Sequence, residues 1–218
     1  MTPTQPHPAG YLAVPDSGGG PGVLVLHAWW GLSGPIRQLC DRLAAEGFVA
    51  FAPDMFRGKT ATTIAEAEAL SGAMEDAGVE TAVVDGLDYL QRRAGSPDGG
   101  IGVVGFSFGG YYALKLSADY PDRVRAVVLF YGSGDADLST SRADYSGHFG
   151  TEEPYEPEEN LAWMESTMSK AGRPVTFYRY EGVGHWFFED DREGYYDAAA
   201  AELAWERTVG FLREMSYE

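Results

Sequence analysis

Apolar positions along this chain fall into two alternating patterns. Short uninterrupted apolar runs recur at Gly22 to His27 (GVLVLH), Phe48 to Ala52, Ile101 to Phe106, Val124 to Tyr131 and Val175 to Tyr180. A run that is apolar on both sides of the two-residue alternation is expected of a strand buried on both faces, as in a parallel sheet. Between these runs the apolar residues step by threes and fours, the spacing of an amphipathic helix. The first such stretch opens at Pro35, a residue suited to a first helical turn, carries Ile36, Leu39 and Leu43 on one face, and stops at Gly47. Ile64 to Arg93 holds helical material broken near Gly78. Phe108 to Asp119, Glu158 to Ala171 and a last helix from about Asp197 follow, the last with the stripe Ala201, Trp205, Thr208, Leu212 and Met215. Strands alternating with helices predict an α/β fold, a mostly parallel sheet covered by helices on both faces.

Two regions do not read cleanly. Residues 1–20, with the turn-rich Gly18 to Gly20, are expected to be flexible or peripheral, and His7 within them to be disordered. The span from Ser133 to Pro157 is rich in Asp, Glu, Gly and Ser. Its segment Ala143 to His148 is too polar to predict as a strand, and Glu152 to Glu159 reads as an acidic loop. The length, 218 residues, fits one domain over residues 1–218.

Composition narrows the function classes. With 33 acidic against 16 basic side chains the net charge is −17, which disfavours nucleic acid and anionic membrane surfaces as partners. The single cysteine, Cys40, excludes an intrachain disulfide and a cysteine-held metal cluster. No metal-ligand motif such as H-E-x-x-H is present, so neither metal nor cofactor is expected. The amino terminus lacks a basic segment followed by an apolar one, and no apolar run approaches a membrane span; the expectation is a cytoplasmic protein.

Candidate chemistry centres on Gly105-Phe106-Ser107-Phe108-Gly109, a G-x-S-x-G pattern directly after a predicted strand and before a predicted helix. In that setting the serine sits on a tight turn with its hydroxyl lifted above the sheet, and side chains two positions either side would meet backbone. The overlapping Gly100-x-Gly102-x-x-Gly105 matches a dinucleotide fingerprint in letters only, since its glycines precede or lie inside the strand rather than follow it. A serine nucleophile needs an imidazole base oriented by a carboxylate. His185, beyond the last strand, occupies the place in chain order expected of the base, ahead of His27 and His148. For the acid, Glu153 is preferred, with Glu152, Asp135 and Asp137 as alternatives. Two backbone amides would hold an oxyanion, those of Phe108 and of Trp29 in His27-Ala28-Trp29-Trp30-Gly31. Trp30, Trp186 and Phe187 are the expected substrate-binding residues.

Together these segments, with Ala52-Pro53-Asp54-Met55-Phe56, Gly147-His148-Phe149-Gly150 and Gly184-His185-Trp186-Phe187, resemble the dienelactone hydrolase family of α/β-hydrolases from Gly22 to Met215. The resemblance implies the α/β-hydrolase fold with about eight strands, hydrolysis of lactones and related esters without metal or cofactor, and a monomer. The chain departs from the family at the nucleophile, where serine replaces the usual cysteine. It also departs at Ala28, where a glutamate assists the thiol, and at Glu153, where aspartate is usual. Where the family's type enzyme has a carboxylate-gripping arginine, this chain has Glu189. A rim of Glu189, Asp190 and Asp191 would repel an anion, so a neutral ester or lactone is expected rather than dienelactone. A thioesterase or short-peptide hydrolase would use the same residues. The alternative of another class is a catalytically silent scaffold that binds a small ligand or partner.

Overall fold

In the computed structural model, which describes residues 7–94 and 100–215, the apolar runs assemble into one sheet. The elements in chain order are β1 (Gly10–Ala13), β2 (Gly22–Leu26), α1 (Gly34–Ala45), β3 (Val49–Pro53), α2 (Ile64–Gly72) and α3 (Asp76–Arg93). They continue with β4 (Ile101–Phe106), α4 (Phe108–Asp119), β5 (Val124–Phe130), β6 (Asp144–Gly150), α5 (Glu158–Lys170), β7 (Val175–Tyr180) and α6 (Ala198–Met215). The strand order is β1-β3-β2-β4-β5-β6-β7. All neighbours are parallel except the edge pair β1 and β3.

The two-sided burial predicted for the strands follows from helices on both faces. Val23, Val25, Val104, Phe106, Val128 and Phe130 share one core with residues of α1 and α6, while the alternate positions Leu24, Leu26, Val103, Val127 and Leu129 share the other with α3, α4 and α5. From β2 the chain crosses outward to β3, then returns to place β4 on the other flank of β2. That reversal leaves a crevice beyond the carboxyl ends of β2 and β4, where open α/β sheets carry their ligands.

The sheet has seven strands among the described residues, in line with the expected eight or so. Two expectations require correction. Within the terminus read as flexible or peripheral, Gly10–Ala13 pairs with β3 as the edge strand, and the His7 ring packs 4.4 Å from that of Tyr89. The polar segment near His148 is the interior strand β6, bonded to β5 and β7. Its polar groups are tolerated because they find partners: Tyr145 Oη lies 2.9 Å from Ser117 Oγ and 2.6 Å from Ser141 Oγ, and the His148 ring meets Tyr180 Oη at 2.8 Å and Thr208 Oγ1 at 3.1 Å. Burial pushes the His148 imidazole down to about 3, so it is neutral and serves packing.

Smaller adjustments are local. The break between α2 and α3 falls at 73–75, and Gly78 lies in the first turn of α3. Thr63 and Glu66 close a reciprocal cap at the start of α2. Cys40 is fully buried on α1, and burial pushes its thiol up to about 12. In the last helix the expected stripe Ala201, Trp205, Thr208 and Leu212 is buried, while the Met215 side chain lies outside the described residues.

Candidate active site

β4 ends at Phe106 and α4 begins at Phe108, so Ser107 must turn the chain alone. It does so at φ 46° and ψ −110°, a conformation that side chains rarely adopt. The turn is held by Ser107 N–H donating to Phe130 O at 2.9 Å and Gly110 N–H donating to Ser107 O at 2.8 Å. Its glycines are there for space: a Cβ on Gly105 would lie 2.6 Å from Gly109 O, and one on Gly109 would lie 2.2 Å from Leu26 O. The sharp turn and its close approach to β2 therefore come from the same residues.

His185 arrives on the turn after β7, and its Nε2 stands 2.9 Å from Ser107 Oγ. On the other side of the ring, Nδ1 lies 2.8 Å from each carboxylate oxygen of Glu153, which follows β6. Both side chains are nearly buried, 3% and 4% exposed, so water competes little for the bond. An ionised Glu153 can only accept, which puts the proton on Nδ1 and leaves Nε2 free to accept from the Ser107 hydroxyl. Glu153 Oε1 also accepts from Tyr155 N–H at 2.9 Å. The alternative acids lie elsewhere: Asp137 accepts from Ser139 N–H, and Asp135 and Glu152 are exposed.

The turn after β2 is fixed by His27. The Met55 amide donates to His27 Nε2 at 3.2 Å, so the ring proton is on Nδ1 and is donated to Ala28 O at 2.7 Å. Burial pushes this imidazole down to about 4, so it is neutral. Gly31 closes the turn at φ 84°, where its missing side chain lets Lys59 O approach. Trp29 lies in this turn. Phe108 is the first residue of α4, so its amide has no partner within the helix.

Aromatic rings surround the histidine. Trp29 stacks on Trp186 at 5.9 Å, and the half-exposed Tyr155 lies 4.9 Å from His185 and 6.1 Å from Trp29. Trp30, Trp186 and Phe187 are interior residues, 2%, 1% and 0% exposed. Their faces pack against neighbouring rings, with Phe187 set between Tyr131 and Tyr180 and Trp186 5.1 Å from the His185 ring. Of the rings beside His185, Tyr155 is the exposed one, and it also meets Trp29.

Glu189 likewise leaves the rim for the interior. It is 1% exposed, accepts from Tyr131 Oη at 2.9 Å, and is pushed by burial up to about 8. With its carboxyl inside, Asp190 and Asp191 are the exposed acids of this segment. Neither Tyr131 nor Tyr155 carries a local signal, since what brings them to His185 is the ends of β5 and β6.

The parallel sheet and the strand-to-helix serine turn are those of an α/β hydrolase. The family model for the dienelactone hydrolase family matches residues 9–216, and the chain belongs to that family. It is 34% identical to "Protein usf" of Aquifex pyrophilus, an alignment spanning 94% of this chain and 92% of that protein. It is 32% identical to the "Putative carboxymethylenebutenolidase" of Aquifex aeolicus, again over 94% and 92% of the two chains. Among solved structures, the "Putative Dienelactone Hydrolase" of Klebsiella pneumoniae superposes with a TM-score of 0.82 at 24% identity, over 94% of this chain and 92% of that one. That last likeness is one of fold.

Proposed function

We propose that this hydrolase cleaves carboxylic esters or lactones through Ser107, His185 and Glu153, with Ser107 as nucleophile. One observation carries the reading: a continuous hydrogen-bonded chain from Ser107 Oγ through the imidazole to the Glu153 carboxylate. In the reaction Ser107 Oγ attacks the carbonyl carbon as Nε2 takes its proton, and Glu153 stabilises the imidazolium. The amides of Phe108 and Trp29 receive the oxyanion. The imidazolium then gives its proton to the leaving alcohol oxygen, releasing it and leaving an acyl-serine. Water, deprotonated by the same imidazole, hydrolyses that acyl-serine and returns the hydroxyl.

A neutral acyl group or lactone is the substrate class this site favours. The support is the aromatic wall of Trp29 and Tyr155, which offers apolar contact rather than a cationic clamp. Fluorophosphonate labelling of Ser107, read by peptide mass, together with turnover of p-nitrophenyl acetate and small lactones, tests the reading. A protein that is neither labelled nor active on any of them is not this hydrolase.

A further inference from the structure

Bonded to the tyrosine that packs on the imidazole is a buried acid that the proposed reaction does not use. Glu189 sits four residues past His185 on the same turn, where its amide donates to Trp186 O at 3.1 Å. Its Oε1 accepts from Tyr131 Oη at 2.9 Å, and Oε2 is buried with no partner among the described residues. Tyr131 is itself fully buried, at φ 40° directly after β5, with its ring 4.8 Å from that of His185. The residue before it, Phe130, supplies the carbonyl that holds the Ser107 amide. One phenol-to-carboxyl bond thus joins the turn bearing the base to the strand end that anchors the nucleophile.

We infer that Glu189 is a positioning residue: by holding the Tyr131 hydroxyl it braces the His185 ring within reach of Ser107, and it does so as a neutral carboxylic acid. The surroundings argue for neutrality. Among the described residues the Glu189 carboxyl receives one hydrogen bond and makes no ion pair. The Arg192 guanidinium, the cation of its own segment, is committed to Asp191 through two hydrogen bonds and lies over the Trp30 ring. Asp190 and Asp191 add like charge, and beyond Tyr131 stands Glu153. An ionised carboxylate there would be desolvated, and the Tyr131 hydrogen bond and the attraction of Arg192 offset that cost only in part. Burial accordingly places its titration at about 8, against 4.5 for the free side chain.

The sign of the consequence is fixed. The native state keeps a proton that the unfolded chain loses, so the stabilising contribution is complete below about 4.5 and is lost progressively as pH rises to about 8. Above that, native Glu189 is itself ionised and still accepts from the Tyr131 phenol, so the stability difference levels off while the brace persists. The kinetic part rests on the hydrolase reading above; the stability and spectroscopic parts do not.

The test compares wild type with Glu189→Gln, Glu189→Leu and Tyr131→Phe. Leucine strands the Tyr131 hydroxyl and is expected to lower kcat by roughly tenfold to a hundredfold with little change in KM. Glutamine still accepts from the phenol, so it should restore most of that kcat. The melting temperature of Glu189→Gln relative to wild type should climb between pH 4.5 and 8 and level off above. In NMR spectra the His185 ring resonances should move in the leucine variant and stay near wild type in the glutamine one. Tyr131→Phe, the loss of one oxygen, gives the same readouts should the leucine variant fail to fold. Parallel stability curves for glutamine and wild type overturn the neutral acid. Unmoved ring resonances in both Glu189→Leu and Tyr131→Phe overturn the brace, whether or not the protein proves to be an esterase.

Discussion

Gly150 and Gly184 lie backbone against backbone. A Cβ on Gly150 would stand 3.1 Å from Gly184 Cα and 2.1 Å from Val183 O, and one on Gly184 would stand 2.7 Å from Glu152 O. The Glu152 amide donates to Val183 O at 3.0 Å, sealing the contact. Glu153 and His185 ride on these two loops. Gly150→Ala should push the loops apart, and because displacements near 1 Å cost about 100-fold in well-aligned sites, kcat/KM should fall by about that factor. Far-UV circular dichroism should show the sheet intact; an unaffected kcat/KM would mean that the close approach does not set the Glu153 to His185 distance.

Removing the nucleophile tests the reaction more directly. Ser107→Ala is expected to lower turnover by about 10^4- to 10^6-fold and to abolish fluorophosphonate labelling while leaving the melting temperature near wild type or above it, since the strained turn loses nothing it needs. Retention of most of the activity would remove Ser107 from the mechanism.

The two neighbouring glutamates give an internal control. Glu153→Gln presents an amide to Nδ1, permits the wrong imidazole tautomer, and should cost on the order of 10^4 in kcat by analogy with triad aspartate replacement. Glu152→Gln, an exposed neighbour, should stay within about twofold. Steady-state kinetics on one ester decides between them, and equal effects would mean the acid is misassigned.

The buried His148 predicts an acid limb of stability. Its native titration is depressed to about 3 from 6.5, so its contribution is present above 6.5 and is lost as pH falls toward 3. His148→Phe should cost about 1 to 3 kcal/mol near pH 7 by stranding the hydroxyls of Tyr180 and Thr208. The gap to wild type should then narrow by about 1.4 kcal/mol per pH unit below 6.5. Urea titrations at several pH values measure it; a constant gap would mean that His148 takes up its proton in the folded protein.

The aromatic wall predicts a binding effect. Tyr155→Ala should raise KM for aryl and alkyl esters severalfold with a smaller change in kcat, because it removes apolar surface beside His185 without touching the ring's hydrogen bonds. A selective fall in kcat would instead assign Tyr155 to holding Glu153 through its backbone.

The legible parts of the molecule are those governed by short-range pattern. Ile101–Phe106 and Phe108–Asp119 are predicted to the residue because burial on both faces leaves no polar position to blur the strand, and because the glycines at 105 and 109 mark the turn between them. β6 is not legible because its polar groups are paid for by partners far away in the chain, such as Tyr180 and Thr208. Glu189 shows the same limit: as a letter in an acidic run it reads as solvated, and only the end of β5 supplies the phenol that draws it inside. Ser107 and His185 stand out through motif and chain order, Glu153 only as one of several acids in its stretch, and Tyr131 and Tyr155 become visible only when strand ends meet.

The sealed thiol of Cys40 makes the native protein nearly blind to sulfhydryl reagents. Any cysteine introduced elsewhere would therefore be the one handle a maleimide or disulfide reagent can find. Ser107→Cys would turn that silence into an assay, reporting directly whether the position now held by a hydroxyl generates a reactive anion beside its imidazole.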